Sequence, residues 1–229
     1  MHAGASRIRQ ESDRALTHLR RADPVLARIS DDHPDFDPRA WLAELPPMDA
    51  FGALLFQVVG QQLSVAATRR ILERICAPFD GRLPGAAELL RIEPSVLRDA
   101  GLSRRKIDTL RAVASAFADG TLSDAGLRAL SDEEIESRLT AITGIGPWTV
   151  HGMLIIAFDR PDVVLPGDLA LRKAIERAYA LGHLPTQQEV IDIAEAWRPY
   201  RSLATALVFQ AAFDAPLPDG GPGTSPGAS

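Results

Sequence analysis

The sequence predicts an all-α fold, and three observations carry that reading. Apolar residues recur at helical spacing through most of the 229 residues, while two-residue alternation is almost absent. Helix-start and helix-stop residues punctuate the pattern, with Ser103 and Ser131 ahead of periodic runs and Gly120 and Gly144 behind them. A composition of 46% hydrophobic and 24% charged residues suits a chain that buries a real core.

Taken in order, the spacing predicts helices over 8–29, broken near Pro24, then over 48–60 and 64–77. The stretch 86–100 should break at Pro94, because proline lacks an N–H and cannot continue a helix. The clearest helix runs from Ser103 to Asp119, with Ser103 as N-cap, Ile107, Leu110, Val113, Ala114 and Phe117 as a buried stripe, and Gly120 past the end. Ser131 with Glu134 forms a capping box ahead of Ile135, Leu139 and Ile142. Further helices are expected over 147–157, 168–180, 187–195 and 200–212, with turns at Pro46-Pro47, Asp80-Gly81, Gly101 and Pro161. Residues 1–213 read as the helical unit, and 214–229, rich in Pro, Gly and Ser, as a flexible tail.

Composition also narrows the chemistry. The single cysteine, Cys76, excludes a disulfide framework, a four-cysteine zinc site and a cysteine-held iron–sulfur cluster within the chain. No apolar run approaches the roughly 20 residues of a membrane span, and the N-terminus lacks an apolar signal core, so a cytoplasmic location is the expectation. Net charge is −5 and pI about 5.6, so a nucleic-acid partner must be argued locally.

The informative stretch is 135–175. An amphipathic helix runs into Thr143-Gly144-Ile145-Gly146, Pro147 opens a second helix, and that helix is strongly apolar. Glycines at 144 and 146 let the backbone take positive φ and approach another molecule, and the free N–H groups of the second helix suit an anion such as phosphate. Such a turn alone is common between packed helices. Asp168, in Pro166-Gly167-Asp168 ahead of a helical pattern, reads first as an N-cap. Capping is compatible with chemistry, since the N–H groups and dipole behind a helix start favour negative charge.

The stretch LTAITGIGPWTVHGM, followed by Val164-Leu165-Pro166-Gly167-Asp168, resembles the helix-hairpin-helix DNA glycosylase superfamily. Val59-Gly60-Gln61-Gln62-Leu63-Ser64, Gly101-Leu102-Ser103-Arg104-Arg105-Lys106 and Trp197-Arg198-Pro199-Tyr200-Arg201-Ser202 extend the likeness, in order, to the 3-methyladenine branch in its compact form, over about residues 12–213. The resemblance implies a two-lobed fold with a DNA-binding cleft between lobes. It implies a catalytic Asp168, whose carboxylate stabilises an oxocarbenium-like sugar and orients water. Members that also cut the backbone carry a lysine in the second hairpin helix. Positions 148–150 are Trp, Thr and Val, and the only lysines, Lys106 and Lys173, lie elsewhere, so water should be the nucleophile.

An alkylated purine is an aromatic cation, which electron-rich rings hold by stacking and cation–π attraction. The resemblance points to Trp148 and Phe209 as pocket walls, each also readable as core. Gly152 stands where longer relatives carry a tyrosine, which suggests a roomier pocket. His151 replaces a frequent glutamate, and either reaches the pocket or satisfies a buried carbonyl. Thr143, Gly144, Ile145, Gly146 and Thr149 form the implied phosphate-binding hairpin, whose carbonyls also suit a monovalent cation; no other metal and no cofactor are expected. Gln62, with Leu63 next in line, is the implied plug for the hole left by a flipped base, against the plainer reading of a polar loop. Arg69, Arg104, Lys106, Arg198 and Arg201 are possible phosphate contacts.

The reading is a monomeric, monofunctional glycosylase that acts on duplex DNA with alkylated bases, releases 3-methyladenine- and 7-methylguanine-type purines and has no membrane partner. Alternatives are the same fold acting on uracil or hypoxanthine, and a non-catalytic module that binds lesions. A carboxylate facing a phosphate-rich duplex weighs against the latter.

Overall fold

The computed structural model describes residues 2–37 and 48–214, and the Pro46-Pro47 turn and all of the tail after Asp214 lie outside the described residues. Every regular element within them is helical. In chain order these are α1 (His2–Ala22), α2 (Pro24–Asp32), α3 (Ala50–Gly60), α4 (Val65–Cys76), α5 (Ala86–Arg91), α6 (Pro94–Asp99), α7 (Arg104–Ala118), α8 (Asp124–Arg128), α9 (Asp132–Thr140), α10 (Pro147–Phe158), α11 (Leu169–Ala178), α12 (Gln187–Glu195) and α13 (Arg201–Asp214). A single 3₁₀ turn, Ala77–Phe79, follows α4.

Buried apolar side chains fall into two clusters, one per lobe. The first is built on α3 and α10, two helices apolar on nearly every side and therefore surrounded by others. From α3 it takes Phe51, Leu54, Leu55, Val58 and Val59, and from α7 Ile107, Leu110 and Val113. Truncating a residue such as the fully buried Leu54 to alanine should cost about 2–5 kcal/mol. The second cluster joins Leu19 of α1 and Leu26 of α2 to Leu171, Ile175, Val190, Trp197 and Leu207 from the C-terminal third. The chain passes from one core to the other between consecutive residues, Val163 in the first and Val164 in the second. Asp168 follows that crossing by four positions.

The second lobe is pinned by a buried polar knot. Asp23 caps α2 through Oδ1, which accepts the N–H groups of Val25 at 2.8 Å and Leu26 at 3.2 Å. Its Oδ2 accepts the Tyr179 hydroxyl and, at 3.1 Å, the indole N–H of Trp197. Burial, with the neighbouring carboxylate, pushes the Tyr179 phenol above its ordinary range.

Most predicted helices match to within a residue or two at their ends, although the first starts at His2 where 8 was expected and the second ends at Asp32 where 29 was expected, and three further departures have local causes. The break expected near Pro24 falls at Asp23, because the aspartate and not the proline supplies the cap. Helix α8 escaped the periodicity argument because five residues, one of them Gly126, make less than two turns. Phe117 is only partly buried, its ring set edge-on against Phe51 with centroids 5.6 Å apart.

Candidate active site and hairpin

Asp168 is held from both lobes. It takes an extended backbone (φ −73°, ψ 118°) and caps α11, its Oδ1 accepting the N–H of Leu171 at 2.9 Å. Oδ2 accepts the indole N–H of Trp148, near the start of α10, also at 2.9 Å. Two donors thus orient the carboxylate while it stays partly exposed, and each oxygen keeps a lone pair for another partner. The next residue, Leu169, is 52% exposed, which marks this end of α11 as open. Such a carboxylate can hold a water or face a developing positive charge. Trp148 is partly buried, and its anchored N–H fixes the ring plane beside Asp168. Phe209 of α13 is partly buried against the second core.

The hairpin between α9 and α10 is clamped from behind. Gly144 has φ +93°, and a Cβ there would stand 2.0 Å from the Thr109 Oγ1, so only glycine fits without displacing α7. Thr109 donates its hydroxyl to the Thr143 carbonyl at 3.0 Å. Gln61 donates through Nε2 to the Gly144 carbonyl at 3.1 Å and to Thr149 Oγ1 at 2.9 Å. Ile145 roots the turn in the first core at 5% exposure. In front, the N–H groups of Gly144, Gly146 and Trp148 take no backbone partner among the described residues, and nothing lies within 4 Å of a Cβ built on Gly146. Open N–H groups at a helix start are what an anion binds.

Several expected roles change. Thr149 is 1% exposed with its hydroxyl on Gln61, so it braces the hairpin and presents nothing to phosphate. The carbonyls of Thr143 and Gly144, suited in principle to a monovalent cation, already accept protein donors. Lys106 is no phosphate contact: its Nζ donates to the carbonyls of Val59 at 2.8 Å and Gln61 at 2.7 Å, placing a cation at the C-terminal end of α3. Burial lowers its pKa. Arg198 and Arg201 converge on Asp162 at 2.8 and 2.7 Å, and Arg198 also meets Glu195 at 2.9 Å, so both brace the loop leading to Asp168.

His151 is drawn away from a pocket, its Nε2 lying 2.7 Å from Glu136 Oε2 on α9 while Nδ1 is buried without a partner. Its partner is a carboxylate instead of the expected carbonyl. Gly152 opens no free volume, because the side chain of Gln57 occupies the space where a larger residue would stand.

Other expectations keep their place. Gln62 sits at φ +57° in the turn after α3, exposed, with Leu63 beside it at 40% exposure. Arg69 and Arg104 are exposed and form no ion pair with a described residue. Arg104, with Arg105, Asp108, Thr109, Ala112 and Thr143, lines an open depression of about 450 Å³ beside the hairpin. The sequence reading missed Gln61, Thr109 and Gln57. Gln61 carried a signal, as a polar residue after the fully apolar Val58-Val59-Gly60, yet nothing in the sequence separates it from Gln62.

The family model described as HhH-GPD superfamily base excision DNA repair protein matches residues 56–199, which include the Gln61-Gln62 turn, the hairpin and Asp168. The chain is 33% identical over 158 residues to DNA-3-methyladenine glycosylase 1 of Schizosaccharomyces pombe, covering 68% of this chain and 69% of that protein. It is 27% identical over 167 residues to DNA-3-methyladenine glycosylase 2 of Escherichia coli, covering 69% of this chain and 56% of that one. Among solved structures, the Schizosaccharomyces pombe 3-methyladenine DNA glycosylase in complex with abasic DNA superposes with a TM-score of 0.81 at 28% identity, covering 88% of this chain and 98% of that one. With the family model matched over more than half its length, on the segments that build the hairpin and carry the capped aspartate, the chain belongs to the HhH-GPD superfamily of base excision DNA repair proteins.

Proposed function

We propose that this protein is a monofunctional DNA glycosylase that removes alkylated purines from duplex DNA and leaves an abasic site, acting as a monomer. The observation that carries the reading is the Asp168 carboxylate, oriented by Leu171 N–H and the Trp148 indole and open on its remaining side. Alkylation at N3 or N7 puts positive charge on the base, so the C1′–N bond breaks with its electron pair leaving on the base. The sugar then carries oxocarbenium character, which the Asp168 carboxylate faces. Water adds to C1′, and the carboxylate orients it and accepts its proton.

The supporting parts are separate in space and role. The N–H groups of Gly144, Gly146 and Trp148 hold a backbone phosphate, which positions the duplex without reading sequence. Gln62 and Leu63, at an exposed turn tied to the hairpin through Gln61, fill the gap left by the flipped base. Trp148 stacks on the base. The relatives named for 3-methyladenine support the substrate class.

Base release from methylated duplex DNA, identified by chromatography, tests this directly: 3-methyladenine and 7-methylguanine should appear, and release of neither overturns it. Borohydride should trap no adduct on lesion or abasic duplexes, because Lys106 is committed to the α3 carbonyls and Lys173 is exposed on α11 beyond Asp168. A covalent adduct would contradict the water-based reaction.

A further inference from the structure

Gln57 is 7% exposed on α3, yet its carboxamide makes no hydrogen bond with any described residue. Its polar atoms are also not among the fully enclosed orphans, so they touch open space. A largely buried side chain whose amide meets no protein partner and only open space is free to bond a second molecule that enters there.

Its position says where it points. The Nε2 and Cδ atoms lie 2.1 and 2.4 Å from where a Cβ on Gly152 would stand. Gly152 is one helical turn after Trp148 on α10, and Cα–Cβ bonds tilt toward the helix N-terminus, so the space over Gly152 is the space beside Trp148. The unpaired amide therefore lies on the face of α10 that carries Trp148, whose N–H holds Asp168. Glycine at 152 is what lets it in.

We propose that Gln57 is a specificity-determining residue that hydrogen-bonds the substituent at position 6 of the flipped purine, an inference that rests on the pocket assignment above. A carboxamide carries a donor NH₂ and an acceptor oxygen on a rotatable end. Adenine-type lesions present a 6-amino donor and guanine-type lesions a 6-oxo acceptor. Turned one way or the other, Gln57 satisfies both, so one pocket releases both kinds of alkylpurine.

Single-turnover release of 3-methyladenine and 7-methylguanine at pH 8 tests this with Gln57→Glu, which can only accept. The 3-methyladenine rate should hold within a few-fold while the 7-methylguanine rate falls on the order of 10-fold, the scale of one hydrogen bond to a charged or buried group. Gln57→Leu should slow both and leave their ratio unchanged. Equal changes, or none, in a folded Gln57→Glu protein overturn the proposal while leaving the pocket assignment intact. A wild-type protein that releases neither base overturns the pocket assignment and this proposal with it.

If the introduced carboxylate prevents folding, wild type and Gln57→Leu are compared for binding to duplexes carrying 3-deaza-3-methyladenine with and without its 6-amino group. Removing the amino group should weaken wild type on the order of 10-fold and Gln57→Leu hardly at all. Equal weakening of both overturns the assignment.

Discussion

Two aspartates in this protein occupy nearly the same local setting and differ in what each leaves open. Asp23 and Asp168 each cap a helix in extended backbone conformation, and each accepts an indole N–H through the oxygen not used for capping, Asp23 from Trp197 and Asp168 from Trp148. At Asp23 the second oxygen also accepts the Tyr179 hydroxyl, and the residue is 5% exposed inside the C-terminal core. At Asp168 no second side chain arrives among the described residues, and the carboxylate stays partly open. The cap and the indole hydrogen bond are therefore common to both places, and what distinguishes Asp168 is the lone-pair capacity left facing open space. Asp23 is placed where folding needs a saturated acceptor; Asp168 is placed at the crossing between lobes, where a second molecule can supply the missing partner.

Exchanging each carboxylate for its amide should separate the two roles most sharply. Asp168→Asn is expected to lose at least ~10² in single-turnover excision with a smaller stability loss than at Asp23, since asparagine caps a helix about as well and at this partly exposed site the NH₂ left facing the Trp148 indole can be met by water. Asp23→Asn should lose about 2–4 kcal/mol in denaturant melts, because an NH₂ would then face the donors of Tyr179 and Trp197, while excision by the folded fraction persists. If Asp23→Asn slowed the folded enzyme as much as Asp168→Asn, the division between scaffold and chemistry would fall.

The tryptophans give a smaller version of the same test. Trp148→Phe keeps a ring but removes the N–H that orients Asp168, and excision should drop about 10-fold. Trp197→Phe should instead lower unfolding free energy by about 2 kcal/mol, through a lost hydrogen bond and a residual void in a fully buried site. Equal effects of the two on excision would show that Trp148 only packs.

At the hairpin, Gly144→Ala and Gly146→Ala extend the contrast between an enclosed position and an open one. The first meets Thr109 and carries an unfavourable φ, so it should lower the melting temperature by several degrees, about 1–3 kcal/mol. The second meets nothing in the protein and should leave stability unchanged while weakening damaged and undamaged duplexes alike. Undiminished binding by a folded Gly146→Ala variant would mean that the open N–H groups do not face the duplex.

The smallest expected effect concerns a cap on the surface. Glu88 is held at about 2 by Arg82 and the Gly85 N–H. A carboxyl depressed in the folded state adds stability above its unfolded value near 4.5, and that contribution is lost as pH falls toward 2. Glu88→Gln should flatten the acid limb of stability in that window while leaving the neutral value nearly the same, as expected for an exposed pair screened by solvent. An unchanged acid limb would place the pH dependence in other carboxyls.

The sequence by itself determined the helical architecture, the caps at Ser103 and Ser131, the glycine hairpin and the aspartate at the helix start, because these rest on periodicity and on side chains that bond their own neighbouring backbone. Only the tertiary structure decided which polar groups remain available. Lys106, Arg198, Arg201 and Thr149 read as surface contacts in one dimension, yet in three dimensions each is bound by residues far along the chain. Gln57 reads as a polar interruption in a core helix, and only the approach of α3 to Gly152 shows where its unpaired amide lies, one turn along α10 from Trp148. The physical reason is that helix formation is settled within a few residues, whereas spare hydrogen-bonding capacity is what remains after every distant segment has made its contacts.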